Sequence, residues 1–473
     1  MGEPVQAMLQ AIQAAPDGPH TAAFFDFDGT LFEGIRPRRS LTTRPAGGNN
    51  TEVLLRGLSG LKTDAHRGSL LRMISETWRG MPVADLVSVE ERLCDDYLSR
   101  NLYPEAWELV RAHHRAGHTV VLVTSATPWQ TRLLARELEI DHLLCTEPEV
   151  SGEKFTGAIA GELVWGRHKA DLVEKFAVDH DIDLGNSFGY SNGGADIPML
   201  RATGHPAAVN PDRDLAVAAT GNGWPVFRFE PRRSSPYHIA RTLLGALALI
   251  GAAGAAFLCS PGDRHTTRKR ILRWAPGAAL RCAGLRVHVT DAGNARATRP
   301  AVFIFNHQSM IDSLIVPYIV GDSFTPVVTH KAERYPIFGR LLRAVDSLFI
   351  DRSTPGGAQQ ALSSLITELD AGKSVAIAPE GRISPTPRLQ SFKKGAFHLA
   401  MQAEVPIVPI VIRNAGRAMW RKGPVVRPGT IEVAVLDPID TAGWQPETLN
   451  REVADIHRRY LDTLQRWPGT DSH

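Results

Sequence analysis

The sequence predicts an α/β protein built as two domains with an apolar joint between them. Three observations carry that expectation. Short apolar runs end in chemistry-bearing residues and pass into helix-like stretches. This happens at residues 22–25 before Asp26-Phe27-Asp28-Gly29-Thr30, and again at residues 301–305 before Asn306-His307. A chain of 473 residues exceeds what one hydrophobic core commonly holds. Between the halves, residues 242–260 carry no charge and are flanked by arginines.

Composition narrows the class. A hydrophobic share of 43% with 22% charged residues is globular, and a net charge of +3 excludes a general nucleic-acid binder. Cys94, Cys145, Cys259 and Cys282 are far apart without CxxC pairing. They read as free thiols in a reducing compartment, with no zinc site. Residues 1–15 lack a basic start and a long apolar core, so they do not read as a secretory signal.

In the first block, residues 1–230, two aspartates two apart at a strand end put both carboxylates on one face. Asp26 and Asp28 suit Mg²⁺, a hard cation that takes oxygen ligands. They also suit covalent phosphoryl transfer, one as nucleophile and one as acid/base; a plain Asp-Gly turn is the structural alternative. A second strand, 118–123, ends in Thr124-Ser125-Ala126-Thr127, where a hydroxyl and amides suit a phosphate. Lys169 opens a helical stretch and can neutralise a phosphoryl group. A third strand, 187–190, leads into Ser191-Asn192-Gly193-Gly194-Ala195-Asp196.

In that order, residues 20–215 resemble the haloacid dehalogenase superfamily, in its phosphoserine-phosphatase-like branch. The resemblance implies a Rossmann-like fold with a helical cap at about 33–100. It implies Asp26 as nucleophile, Asp28 as general acid/base, and Thr124 or Ser125 with Lys169 as phosphate ligands. Mg²⁺ would be held by Asp26, Asp28, Asn192 and Asp196. Two positions depart from the family. Asn192 stands where a ligating Asp is usual, which removes a negative charge and lowers the expected metal affinity. Ile35 stands where phosphoserine phosphatases carry a cap Glu, against phosphoserine as substrate. Residues 36–50, rich in Arg, Gly, Pro and Asn, read as a mobile loop.

The joint, residues 231–283, holds the uncharged run. Arg228, Arg232, Arg233 and Arg241 precede it; Arg264, Arg268, Lys269, Arg270 and Arg273 follow. Positive charge on both sides gives no orientation for a span, so a helix that inserts and returns to one face fits, with the basic residues on anionic headgroups. A buried core helix is the alternative, and full span against partial insertion stays open. Small residues at Gly245, Gly251 and Gly254 also suit close helix packing.

In the last block, residues 284–473, a strand over 301–305 delivers His307, and a helix-like stretch brings Asp312 back to it. A carboxylate beside an imidazole fixes its tautomer and stabilises the imidazolium, which makes a general base. Downstream come Gly339, Phe349-Ile350-Asp351-Arg352, Pro379-Glu380-Gly381-Arg382 and Val405-Pro406-Ile407-Val408-Pro409. Arg and Lys gathered at strand ends suit a phosphate. Together these resemble the glycerolipid acyltransferase family, the lysophosphatidic-acid acyltransferases, over about 280–440.

That resemblance implies His307 as the base that deprotonates a lysophospholipid hydroxyl for attack on an acyl-CoA or acyl carrier protein thioester. Asp312 would orient His307, and Arg352, Glu380, Gly381 and Arg382 would hold the glycerol phosphate, with no metal needed. The family usually reads Glu-Gly-Thr-Arg, whereas Arg382 comes one place early; Lys393 or Arg388 can share its task. Residues 447–466 read as an amphipathic packing helix. The whole implies a membrane-associated enzyme at the cytoplasmic face. Its acceptor would be 1-acylglycerol-3-phosphate, giving phosphatidic acid, and its other domain a Mg²⁺-dependent phosphomonoester hydrolase. The alternative is a phosphatase-like domain that is catalytically weak and serves for ligand binding or scaffolding.

Overall fold

The structure, a computed structural model, describes residues 3–33, 75–85, 101–229, 235–322, 324–334, 338–350, 357–384, 386–421 and 423–468. Arg352, Cys94, the loop at 36–50 and most of the expected cap fall outside the described residues. The chain divides into two compact units, Met1–Arg233 and Ser234–His473.

In the first unit, helix α1 (Glu3–Ala14) precedes strand β1 (Ala22–Phe25). Then come α2 (Pro104–Arg115), β2 (Thr119–Thr124), α3 (Pro128–Glu137) and β3 (His142–Cys145). A hairpin of β4 (Glu147–Ser151) and β5 (Lys154–Ala160) follows. The rest is α4 (Arg167–Asp179), β6 (Phe188–Ser191), α5 (Ile197–Arg201), β7 (His205–Val209), α6 (Arg213–Asn222) and β8 (Val226–Phe227). The main sheet has the order β3-β2-β1-β6-β7-β8, and every pairing in it is parallel. β1 is buried throughout, as expected of a central parallel strand with both faces covered.

The chain leaves β1 for β2 on one side and later returns to β6 on the other. β1 therefore sits where the order reverses, the place such sheets reserve for ligands. β2 and β6 each end one residue later than their apolar runs suggest. The parallel ladder continues through Thr124 (opposite Cys145) and Ser191 (opposite Ala208). Polar side chains at those ends hid the extension.

The second unit opens with a helical hairpin, α7 (Pro236–Leu258) and α8 (Arg264–Cys282). Ser235 and Asp263 cap the two helices, accepting from the amides of His238 and Thr266 at 3.2 and 3.0 Å. Gly245 permits the close approach: a Cβ there would lie 2.9 Å from Cβ of Ala283 and 3.0 Å from the Ala279 carbonyl oxygen. Then come β9 (Leu285–Thr290), β10 (Val302–Phe305), α9 (Asp312–Val320), β11 (Phe324–Thr329), α10 (Phe338–Ala344), β12 (Leu348–Ile350) and α11 (Gly357–Asp370). β13 (Ser374–Ile377), α12 (Gly395–Gln402), β14 (Ile407–Arg413), β15 (Gly429–Val435) and α13 (Leu449–Gln465) complete the unit.

Its seven strands run β12-β11-β13-β10-β14-β15-β9, antiparallel only at β14–β15. One apolar layer on this sheet gathers Ile271, Leu272, Phe303, Ile315 and Val408; the other gathers Ile304, Phe397, Val411, Ile456 and Tyr460. One arginine from the joint differs from its expected place at headgroups. Arg268 is 3% exposed, and its guanidinium donates to the carbonyls of Phe324 (2.6 Å) and Val345 (3.1 Å). It fastens α8 to the sheet.

Candidate active sites

In the first unit, β1, β2 and β6 present their carboxyl ends side by side. Asp26 follows β1 directly, and its amide donates to the Tyr190 carbonyl at 2.9 Å, which continues the ladder for one step. Lys169, on α4, is 2% exposed; its ammonium donates to Asp26 Oδ1 at 2.6 Å and to Asp196 Oδ2 at 2.8 Å. The Ser191 hydroxyl also donates to Asp196 Oδ2, at 2.5 Å, and the Thr30 hydroxyl to Asp26 Oδ2 at 3.3 Å.

Burial raises the Asp26 carboxyl above its ordinary value against the pull of Lys169, and the Asp196 charge adds to the rise. Burial alone would lower the Lys169 ammonium; Asp196 and Asp26 outweigh it and leave it raised, so the ammonium stays charged. Two carboxylates sharing one buried ammonium form a compact site fitted to a further anionic group only if that group competes for Lys169.

Asn192 meets this cluster from the β6 end. Gly29 has φ +83°, and a Cβ there would come within 2.0 Å of the Asn192 side-chain nitrogen, so this turn admits only glycine. The turn carrying Asp28 is thereby brought against the Asn192 loop. Asp196 Oδ1 is buried with no hydrogen-bond partner. Asp26, Asp28 and the Asn192 amide offer only oxygen donors beside it, the ligand type magnesium takes. Among the described residues no group of three His, Cys, Asp or Glu side chains is disposed to hold a metal, and Lys169 occupies the span between Asp26 and Asp196.

Thr124 closes β2, 2% exposed, with its hydroxyl accepting from the Ala126 amide at 3.0 Å. That bond shapes the turn; Ser125 beside it is half-buried.

In the second unit, His307 Nδ1 lies 2.9 Å from Asp312 Oδ2. Asp312 is fully buried as the first residue of α9. Its Oδ2 also accepts from the amides of Gln308 and Ser309, both at 2.8 Å. Facing an acceptor oxygen, Nδ1 is the ring nitrogen that donates, which leaves Nε2 as the nitrogen without a proton. Asn306 fixes the turn's origin: its amide donates to the Ile412 carbonyl at 2.9 Å, and its oxygen accepts from the Ile412 amide at 2.7 Å. The side chain mimics a strand partner where the ladder ends.

Glu380 differs from its expected place against a phosphate. It is 3% exposed, with Oε1 accepting from the His307 amide at 2.6 Å and Oε2 from the Gln390 amide at 2.9 Å. Both oxygens are committed to backbone, so the carboxylate supports the loop that carries His307. Burial pushes it up to about 7, partly offset by the two amides.

Gly381 (φ +74°) lies under Lys393, whose ammonium would be 3.0 Å from a Cβ there, and Arg382 is exposed. The structure thus brings together His307, Asp312, Glu380 and Gly381, with the Lys393 side chain against Gly381. Sequence reading missed the supporting part of Glu380, because its partners are backbone amides, which no residue type marks.

The two units thus present a phosphoryl-transfer type of carboxylate–lysine cluster and an acyl-transfer type of His–Asp pair, each on an α/β sheet. Comparison with known proteins sharpens this. Residues 23–201 match the haloacid dehalogenase-like hydrolase model, and residues 286–413 match the acyltransferase model.

A 1-acyl-sn-glycerol-3-phosphate acyltransferase of Cocos nucifera is 34% identical over 41% of this chain and 67% of its own length. A 1-acyl-sn-glycerol-3-phosphate acyltransferase alpha of Mus musculus is 31% identical over 50% of this chain and 84% of its own. A probable phosphatase of Mycobacterium tuberculosis is 30% identical over 53% of this chain and 90% of its own. The chain belongs to the haloacid dehalogenase-like hydrolases through its first unit and to the acyltransferase family through its second.

Proposed function

We propose that the second unit transfers an acyl chain from acyl-CoA, or an acyl carrier protein, to the free hydroxyl of a lysophospholipid, 1-acylglycerol-3-phosphate first among them. The observation that carries this reading is the His307–Asp312 pair at 2.9 Å. His307 Nε2 takes the proton of the acceptor hydroxyl as its oxygen attacks the thioester carbonyl. Asp312 holds the ring and stabilises the imidazolium, which returns the proton to the departing thiolate. No acyl-enzyme forms. Arg382, Lys393 and Arg352 supply positive charge for the acceptor phosphate. The relatives named for this reaction support the choice of acceptor.

For the first unit we propose phosphomonoester hydrolysis with Asp26 as nucleophile and Asp28 as acid/base, and with Lys169 and Thr124 or Ser125 on the phosphate. Asp26, Asp28, Asn192 and Asp196 would hold magnesium, which when bound offsets phosphoryl charge. Asn192 favours a second reading, a weak hydrolase kept for ligand binding. Membrane association at the cytoplasmic face, through α7 and the basic flanks, completes the proposal.

The test supplies labelled acyl-CoA and a panel of lysophospholipids to the full chain. Product on a lysophospholipid supports the reading, and absence of product on every member overturns it. Hydrolysis of a generic phosphomonoester, measured with and without Mg²⁺, tests the first unit separately.

A further inference from the structure

We infer that the C-terminal helix α13, through His457 and Tyr460, positions the catalytic imidazole. The inference rests on the acyl-transfer reading of His307, and it concerns residues beyond the acyltransferase match, which ends at 413.

Both backbone polar groups of His307 are held by the segment after β13. The amide donates to Glu380 Oε1 at 2.6 Å, and the carbonyl accepts from the Ser384 amide at 2.8 Å. That segment is held in turn from α13. Glu380 Oε2 accepts from the Gln390 amide at 2.9 Å, and the Gln390 carbonyl faces His457 Nε2 at 3.2 Å. A carbonyl only accepts, so Nε2 carries the proton and donates. Burial lowers the His457 pKa, in keeping with a neutral donor. The path His457–Gln390–Glu380–His307 thus runs from a helix surface to the base's own amide.

Tyr460, one turn on along α13, makes a second and independent contact. It is fully buried, and its hydroxyl donates to the Ile304 carbonyl at 2.7 Å, on the strand that delivers His307. Its ring meets Phe392 edge-on at 5.2 Å, and the His457 ring meets the same Phe392 at 4.8 Å. Two polar ties and one shared aromatic support lock the helix to both arms of the loop that carries the imidazole. A packing helix needs only its apolar stripe; donors aimed at these carbonyls add register.

Imidazole placement within a fraction of an ångström affects turnover more than substrate binding. The test compares the full chain with Tyr460→Phe, His457→Leu and His457→Gln in acyl transfer, with His307→Ala as control. Tyr460→Phe and His457→Leu are expected to lower kcat about tenfold, with KM for both substrates changed by less than about twofold. His457→Gln keeps an N–H donor of similar reach and is expected to recover most of that loss.

Wild-type kcat in both Tyr460→Phe and His457→Leu overturns the inference, and so does a rise in KM that accounts for the whole loss. Failure of His457→Gln to recover more activity than His457→Leu counts against it equally. If His457→Leu unfolds, Tyr460→Phe decides, since it removes one oxygen and keeps the ring. A wild type without product overturns the acyl-transfer reading and this inference with it; a wild type with product leaves only the positioning at stake.

Discussion

His307 depends on Asp312 for its tautomer, and Asp312 depends on three donors converging on one oxygen. Asp312→Asn keeps the volume but offers an amide where donors already point, and it no longer demands a proton on Nδ1. Its kcat is expected to fall on the order of 10³-fold with little change in KM, measured by steady-state acyl transfer. Glu380 yields a second prediction. Burial holds its carboxyl at about 7 in the folded chain, above the ordinary glutamate range, so the folded chain holds a proton that the unfolded chain releases in that window. The stabilisation is full below the unfolded value and is lost as pH rises through 7, up to about 3 kcal/mol. Thermal unfolding of the wild type is therefore expected to move down between pH 5 and 8 relative to Glu380→Gln, which has no such proton. Equal shifts in both proteins would contradict the assignment. His307 and Asp312 were legible because their spacing and the preceding apolar strand are local. The supporting part of Glu380 was not, because its partners are backbone amides, one at His307 far upstream and one at Gln390, and an amide leaves no mark in the sequence.

At the scale of elements, α7 leaves Leu243, Leu244, Leu247, Ile250, Phe257 and Leu258 exposed. An unburied apolar face of this size calls for an apolar surround, which the proposed membrane contact supplies. Replacing Leu244 and Leu247 with Glu is expected to leave the unfolding midpoint nearly unchanged and to abolish co-sedimentation with vesicles containing anionic lipid. Retained co-sedimentation would place the contact elsewhere. Gly245→Leu acts on the other face, driving a side chain into Ala279 and Ala283 and costing about 1–3 kcal/mol by overpacking. The sequence displayed the uncharged run and its glycines, and so a helix with one tight seam. It did not display that Arg268 turns inward, since a basic residue in a basic stretch carries no mark of burial. The hairpin of β4 and β5 was equally hidden: Glu147–Ser151 is mostly exposed and polar, so its pairing leaves no apolar signature.

For the molecule as a whole, the two compact units make the two proposed activities separable. Asn192 is the residue that decides between hydrolase and scaffold in the first unit. If the first unit is a hydrolase held back by the missing charge, Asn192→Asp raises Mg²⁺-dependent phosphomonoester hydrolysis, with acyl transfer unchanged. If that substitution leaves hydrolysis at background, the scaffold reading stands. The parallel order of both sheets followed from strands that alternate with helices along the chain. The antiparallel β14–β15 pairing and the α13 ties to Gln390 and Ile304 did not, because each joins residues whose own sequence is ordinary. The central claim is that His307 is the base for acyl transfer to a lysophospholipid. Its most direct test is transfer from labelled acyl-CoA by wild type and His307→Ala side by side. The account predicts labelled phospholipid from the wild type and background from the variant; equal product from both would contradict it.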